Sequence, residues 1–371
     1  SYFEKMTDEG EDIPDYESLL LELSALAASP LSLNRASAGE LRRLPFLNEM
    51  MIQNLLQHIH RYGPLHSISE LQLIDGFSPE LIRLAGHFLT TENTAGFPAL
   101  LKDGAAMHAR HQLSLRLGKQ SNYSHHYHEQ RPFPENTNSH YMGDPYRISL
   151  VYNLRYFRKF SAGFRAGKDP GEPWYARGKT HGFDFYSGHV MLRDVGMIKT
   201  LVLGDYQAGF GQGMLLWTSF SPGKGSDVLQ VRKNAGGIRP HTSGNENHFF
   251  RGIGLTLERR RMEFSLLLSS KARDASIQNP DSSGQRFFSS LRDSGLHRTD
   301  SEMAGKNALK EGMIATRMAY NGRGLQAGVM QLHHWFDAGY QPANPLAPAF
   351  PGLQKQNTGY AADIGIGVKN T

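Results

Sequence analysis

The 371-residue chain contains no cysteine, which excludes a disulfide framework and any thiolate metal site. It has no apolar run approaching the roughly 18 residues of a membrane-crossing helix. Its first residues, SYFEKMTDEGED, are acidic where a secretory signal would be basic and then apolar. For an exported protein this implies a trimmed N-terminus. Nucleotide motifs are missing too. In Gly209-Phe210-Gly211-Gln212-Gly213 the third glycine falls too early for a dinucleotide fingerprint, and Ser221-Pro222-Gly223-Lys224-Gly225-Ser226 lacks P-loop spacing. No Ser-His-Asp order is defensible, and Asp184, Asp205 and Glu263 have no acid–base partner visible in sequence.

What is present is alternation. In Arg147 to Tyr156, Ile148, Leu150, Tyr152, Leu154 and Tyr156 fall on one face and Arg147, Ser149, Val151, Asn153 and Arg155 on the other. Met107 to Gly118 and Tyr360 to Lys369 repeat the pattern. From Met107 to Val368, pairs of such stretches are joined by tight turns and separated by long polar loops. The turns fall at Arg158-Lys159, Val195-Gly196, Arg259-Arg260 and Asn321-Gly322. The loops cover about 119–146, 168–181, 221–248, 271–311 and 337–358. Short turns on one side and long loops on the other are the threading of a transmembrane β-barrel. Asn321-Gly322 predicts a type I′ hairpin turn. Met197 to Phe220 reads either as one strand kinked at Gly209, Gly211 and Gly213 or as two strands around a corner; counted as one, it gives ten strands. Aromatic pairs at strand ends, such as Tyr156 with Phe157 and Trp335 with Phe336, suit interface girdles. The competing reading is a soluble β-sandwich with aromatic corners.

The first ninety residues are of another kind. Tyr16 to Ala28 predicts a helix. Ser37-x-x-Glu40-Leu41-x-x-Leu44 then returns thirty residues later as Ser67-x-x-Glu70-Leu71-x-x-Ile74, each copy opening with a capping box. A turn and a second amphipathic helix follow each copy. The expected organisation is α + β multidomain: a small all-α domain over 1–92, a linker over 93–106, and an antiparallel transmembrane β-barrel over 107–371. The chain ends Val368-Lys369-Asn370-Thr371 with its last strand lacking a following partner, so the barrel is expected to be incomplete.

The repeat over 31–89 resembles the tandem helix-hairpin-helix domain of competence-type DNA-uptake proteins. It does so through Leu33 to Pro45, Tyr62-Gly63-Pro64-Leu65, Glu70-Leu71 and Ile74 to Phe77. That resemblance implies DNA-contacting hairpins at Phe46-Leu47-Asn48 and Gly76-Phe77-Ser78, flanked by Arg42 and Arg43. Three of the four hairpin glycines of that family are replaced here. Residues 1–90 carry six basic and thirteen acidic residues, net −7, which disfavours DNA. A periplasmic protein partner is the expected alternative. The remaining residues carry 34 basic and 22 acidic residues, a balance suited to lipopolysaccharide phosphates or an anionic solute.

The combination resembles a family of Gram-negative outer-membrane proteins that join such a helical domain to a barrel. The matching segments are Gly204 to Met214, Glu246 to Gly252 and Ser269 to Ala275. It implies an outer-membrane location, contact with membrane lipid and a helical domain in the periplasm, and no known reaction; with the catalytic, nucleotide and metal motifs lacking, the expectation is a non-enzymatic channel or scaffold without cofactor or metal. DNA uptake and a loop-borne enzyme are the alternatives. His125, His126, His128, His333 and His334 are read as solvated; His333 and His334 are adjacent on a strand and point to opposite faces.

Overall fold

A computed structural model describes residues 23–91, 109–120, 141–218, 235–278, 284–342 and 354–366, except 25, 28–29, 35, 37, 42, 157–158, 177–179 and 323–324. The chain divides into two compact units. One contains Ser1–Ala109, Tyr156–Lys159 and Gln207–Arg239, the other Arg110–Arg155, Phe160–Tyr206 and Pro240–Thr371.

In the first unit, α1 (Ala38–Leu41), α2 (Glu49–Tyr62), a 3-10 helix (Ile68–Leu73) and α3 (Pro79–Ala85) follow the thirty-residue repeat. Local chemistry sets their starts. The Asn48 side chain accepts from Met51 N at 2.8 Å, Ser78 Oγ accepts from Leu81 N at 3.2 Å, and Glu70 Oε1 accepts from Ser67 N at 3.0 Å. Gly63, at φ 97°, ends α2 with its N–H on Ile59 O. Leu31, Leu33, Leu41, Leu44, Ile52, Leu55 and Leu71 form a core with no exposed surface. Asn34 joins the halves: its Nδ2 donates to Leu65 O and its Oδ1 accepts from Leu65 N.

The all-α expectation is corrected here. β1 (Leu31–Ser32) and β2 (Leu89–Thr90) pair in parallel, with Leu31 N on Phe88 O and Leu33 N on Thr90 O, both 2.8 Å. The two-residue ladder ties the start of the repeat to its end, and it is too short to leave a periodic trace in the sequence. Of the expected helix over Tyr16 to Ala28, residues 23, 24, 26 and 27 are described and helical. The expected linker over 93–106 lies outside the described residues.

The rest is antiparallel sheet. The strands are β3 (Ala109–Lys119), β4 (Tyr146–Tyr156), β5 (Phe160–Lys168), β6 (Tyr175–Ala176), β7 (Thr180–His181), β8 (Phe185–Val195), β9 (Ile198–Gly209), β10 (Gly237–Pro240), β11 (Phe250–Arg259), β12 (Met262–Arg273), β13 (Ala275–Gln278), β14 (Phe287–Leu291), β15 (Leu309–Asn321), β16 (Leu325–Phe336), β17 (Gly339–Tyr340) and β18 (Gln356–Ile366). α4 (Asp300–Gly305) lies before β15. The main sheet runs β18-β16-β15-β12-β11-β9-β8-β5-β4-β3. The tight turns gather at one end of these strands and the long connections at the other. β13, β14 and β17 form a small separate sheet over an apolar cluster of Phe288, Leu309 and Phe336.

Among the described residues the sheet does not close into a barrel. Among the described residues β3 and β18 are its two edges and do not pair with each other. Alternation reports that a strand has an oily and a polar side, and it is identical in open and closed sheets. Closure depends on first-to-last pairing, which leaves no mark along the chain. Two local expectations change as well. β9 stops at Gly209, and the chain folds back so that Thr218 N reaches Ala208 O at 2.9 Å. Asn321 still belongs to β15, opposite Gln326, and neither it nor Gly322 has the positive φ of a type I′ turn. Arg260 (58°) and Gly196 (61°) do have positive φ at their reversals.

One face of the sheet is apolar and exposed, while the sheltered face mixes buried apolar residues, such as Met191, Val202, Leu267 and Ala315, with buried polar ones. Ala162, Val190, Leu203, Ile253, Leu268 and Ile314 stand side by side across six strands. Val190, Leu203, Ile253 and Ile314 are each at least 40% exposed. On the opposite face Arg193, Thr200, Thr256, Ser265 and Arg317 form a matching row, and Arg193, Thr256 and Ser265 are at most 7% exposed. Thr256 and Ser265 share a buried 2.9 Å hydrogen bond. Among the described residues the exposed apolar row of these strands is not covered by a second sheet.

Candidate functional site

The long connections hold a buried charged cluster. Glu172 follows β5 just after Gly171, whose φ is +91°. Its Oε2 accepts from Asp169 N at 2.7 Å, which curls the loop. Asp184 immediately precedes β8 and Asp274 separates β12 from β13. His297 precedes α4, whose start is fixed by a capping box of Thr299 and Glu302, and Lys306 closes that helix. Strand ends and a capped helix thus deliver these side chains to one place.

His297 is the hub. Its Nδ1 lies 2.5 Å from Asp184 Oδ2 and its Nε2 2.9 Å from Asp274 Oδ2, while its backbone N–H donates to Glu172 Oε1 at 3.0 Å. Lys306 Nζ donates to Asp184 Oδ1 at 2.5 Å and to Asp184 O at 3.1 Å. Asn307 N holds the second oxygen of Asp274 at 2.8 Å. The side chains of Asp184, His297 and Lys306 are at most 9% exposed.

Burial pulls the His297 imidazole down, but its hydrogen bonds to Asp184 and Asp274 outweigh this and raise its pKa to about 9. Both ring nitrogens then donate. Burial pushes Asp184 up, yet His297 and Lys306 hold it below the usual carboxylate range. Asp274 is likewise lowered against burial, chiefly by His297 and the Asn307 N–H. Glu172 rises to about 7 and Glu246 to about 9, first through burial and then through the charge of Asp184. Glu172, Asp184 and His297 are the donors within the described residues that approach closely enough to hold a metal ion together.

A second arm anchors the neighbouring loop. Lys271 Nζ donates to Glu246 O at 2.9 Å and Asn247 O at 2.8 Å, and stands 3.6 Å above the Phe249 ring. Asn247 Nδ2 donates to Asp293 O at 2.9 Å. Arg251 grips Asp205 through two bonds of 2.6 and 3.0 Å, and its N–H donates to Ser269 Oγ. The segments around Asp205, Glu246 to Gly252 and Ser269 to Ala275, far apart in sequence, are therefore joined by hydrogen bonds.

The hairpin residues occupy structural positions. Phe46, Leu47 and Phe77 are buried in the helical core. Asn48 and Ser78 cap α2 and α3. Gly76 has φ +100°, and a Cβ there would stand 3.0 Å from Met51 Cγ. Arg43 is half-buried; Arg42 lies outside the described residues, as do His125, His126, His128 and 221–226. His333 bonds Thr358 at 2.9 Å and His334 bonds Glu311 at 2.8 Å, on opposite faces. Of the carboxylates without a partner in sequence, Asp184 meets His297, Asp205 meets Arg251 and Glu263 meets Lys199. Sequence reading missed Glu172, Asp274, His297 and Lys306. They are scattered from 172 to 306 without a spacing that marks shared chemistry.

No known family model matches the chain, and no solved structure matches it. A stretch of 62 residues is 37% identical to the endonuclease/exonuclease/phosphatase family domain-containing protein 1 of Xenopus laevis, covering 17% of this chain and 11% of that protein. The chain thus spans about a tenth of the curated relative it matches.

Proposed function

We propose that this chain is an outer-membrane protein that turns the exposed apolar row of its sheet to lipid and keeps the edges β3 and β18 covered by protein, acting without catalysis as a solute path or an envelope scaffold. The observation that carries this reading is the continuous apolar row exposed on one face of the sheet, with buried polar residues such as Arg193, Thr256 and Ser265 on the other. In water an apolar patch this continuous would drive association; in lipid it is the favourable outer surface. Aromatic contacts near the loop end support the placement: Trp174 with Phe183 at 5.0 Å, Phe183 with Tyr186 at 6.1 Å and Tyr186 with Phe164 at 6.2 Å. In this reading the helical unit lies in the periplasm. It serves a periplasmic protein partner, while the excess of basic residues over 91–371 suits lipopolysaccharide phosphates.

Fractionation of expressing cells tests this. The protein is expected in the membrane pellet and is released only by detergent. Recovery in the soluble fraction without detergent would contradict it.

A second reading rests on the similarity to the Xenopus protein, whose name carries a nuclease and phosphatase family domain. It makes this chain a nucleic-acid enzyme or a DNA-uptake component. Purified protein incubated with duplex DNA at low salt should then retain or cleave it. The acidic balance of residues 1–90 and the buried hairpin side chains favour the first reading.

A further inference from the structure

We infer that Glu172, Asp184 and His297 form a binding site for one divalent transition-metal ion of the zinc type, fastening the long loops together. One donor atom from each lies within 4.8 Å of the other two, and all three residues are buried. Glu172 and Asp184 come from the connection between β5 and β8, and His297 from the connection between β14 and β15. An ion held by all three would therefore staple two loops that are distant in sequence.

The arrangement behind the imidazole is the one a metal-ligating histidine requires. His297 Nε2 lies 2.9 Å from Asp274 Oδ2, and the other Asp274 oxygen is fixed by Asn307 N at 2.8 Å. A metal-ligating histidine almost always has its second nitrogen held by a carboxylate or carbonyl in this way, which fixes the ring and its tautomer. The carboxylates are oriented as well. Lys306 occupies Asp184 Oδ1 and leaves Oδ2 toward the imidazole. Glu172 is held by the backbone N–H groups of Asp169 and His297.

The donor set selects the ion. Calcium and magnesium prefer oxygen ligands alone. One imidazole with two carboxylates suits zinc, bound at about 2.0–2.2 Å with water in the remaining position. Asp184 Oδ2 and His297 Nδ1 are 2.5 Å apart, a hydrogen-bond distance, whereas two ligands of one tetrahedral ion stand about 3.3 Å apart. Loading therefore opens that contact. The Nδ1 proton leaves to solvent, its lone pair meets the metal, and the Nε2 proton stays on the Asp274 side.

The test uses the full chain in detergent, stripped with chelator and titrated with Zn²⁺ by calorimetry. X-ray absorption at the zinc edge then reads the loaded protein. The expected result is one ion per chain, a first shell of one imidazole with oxygen ligands, and no displacement by excess Ca²⁺ or Mg²⁺. Asp274→Asn should weaken binding about 10–100-fold, and Glu172→Gln at least as much. The absorption spectrum needs no variant, so misfolding of a variant does not leave the matter open. No bound zinc, a shell of two or more imidazoles, displacement by Ca²⁺, or unchanged affinity in both variants would overturn the assignment.

Discussion

Four carboxyl groups and two cations share the interior of the long loops, and single substitutions there have consequences set by which charge is left alone. Lys306→Met leaves Asp184 and Asp274 to share the one positive charge of His297, and should destabilise by less than the roughly 3–5 kcal/mol of a buried charge that loses its only partner. Chemical denaturation read at the aromatic residues of the loops should register that loss, and an unchanged midpoint would show that Lys306 is not needed. The pH dependence has a definite sign. In metal-free protein His297, Glu172 and Glu246 all have raised pKa values. Each therefore stabilises the folded state while protonated. That contribution is full below their ordinary values and is lost as the pH rises through about 7 for Glu172 and about 9 for His297 and Glu246. Asp184 and Asp274 are lowered, so their contribution is lost only in acid, below the ordinary carboxylate range. Thermal unfolding between pH 5 and pH 10, values about which these groups titrate, should show stability falling with pH; a rise would contradict the assignment of charges.

At the scale of elements, turn and cap chemistry was readable where one residue decides it. Ser67 and Ser78 cap helices as their spacing predicts; Asn48, which the sequence offers as a hairpin residue, proves to cap α2, and Asn48→Ala should cost about 1 kcal/mol, measured as a lower midpoint of the helical signal. Strands were readable from alternation: the stretch Arg147 to Tyr156 coincides with β4 but for its first residue. The parallel pairing of Leu31–Ser32 with Leu89–Thr90 was not readable, because two residues carry no period. Gly204 is a case the sequence only hinted at. Its φ is +100°, and a Cβ there would lie 2.2 Å from the backbone oxygen of Gly188. Since that oxygen belongs to the neighbouring strand, Gly204→Ala forces β8 and β9 apart. It should destabilise by more than the roughly 1 kcal/mol of an ordinary glycine effect, seen as lost protease resistance of the sheet.

For the whole molecule, the sheet's apolar and polar sides were legible, but its closure and its charged loop cluster were not. His297 shows why. Its partners Asp184 and Asp274 are brought to it by three separate connections, and nothing near residue 297 in the chain announces them. The central claim is that the rows containing Ile314 and Val329 face lipid, while the row containing Thr256 and Ser265 does not. Lipid contact has an energetic signature: Val329→Lys should destabilise the membrane-embedded protein by about 2–4 kcal/mol if that position lies near the bilayer midplane. The most direct measurement places a nitroxide label singly at Ile314, Val329 and Ser265 in protein reconstituted into vesicles. Collisions with oxygen, which concentrates in lipid, are then compared with collisions with a water-soluble nickel chelate. The account predicts oxygen-dominated relaxation at Ile314 and Val329 and its absence at Ser265. Nickel-dominated relaxation at both apolar positions would contradict it.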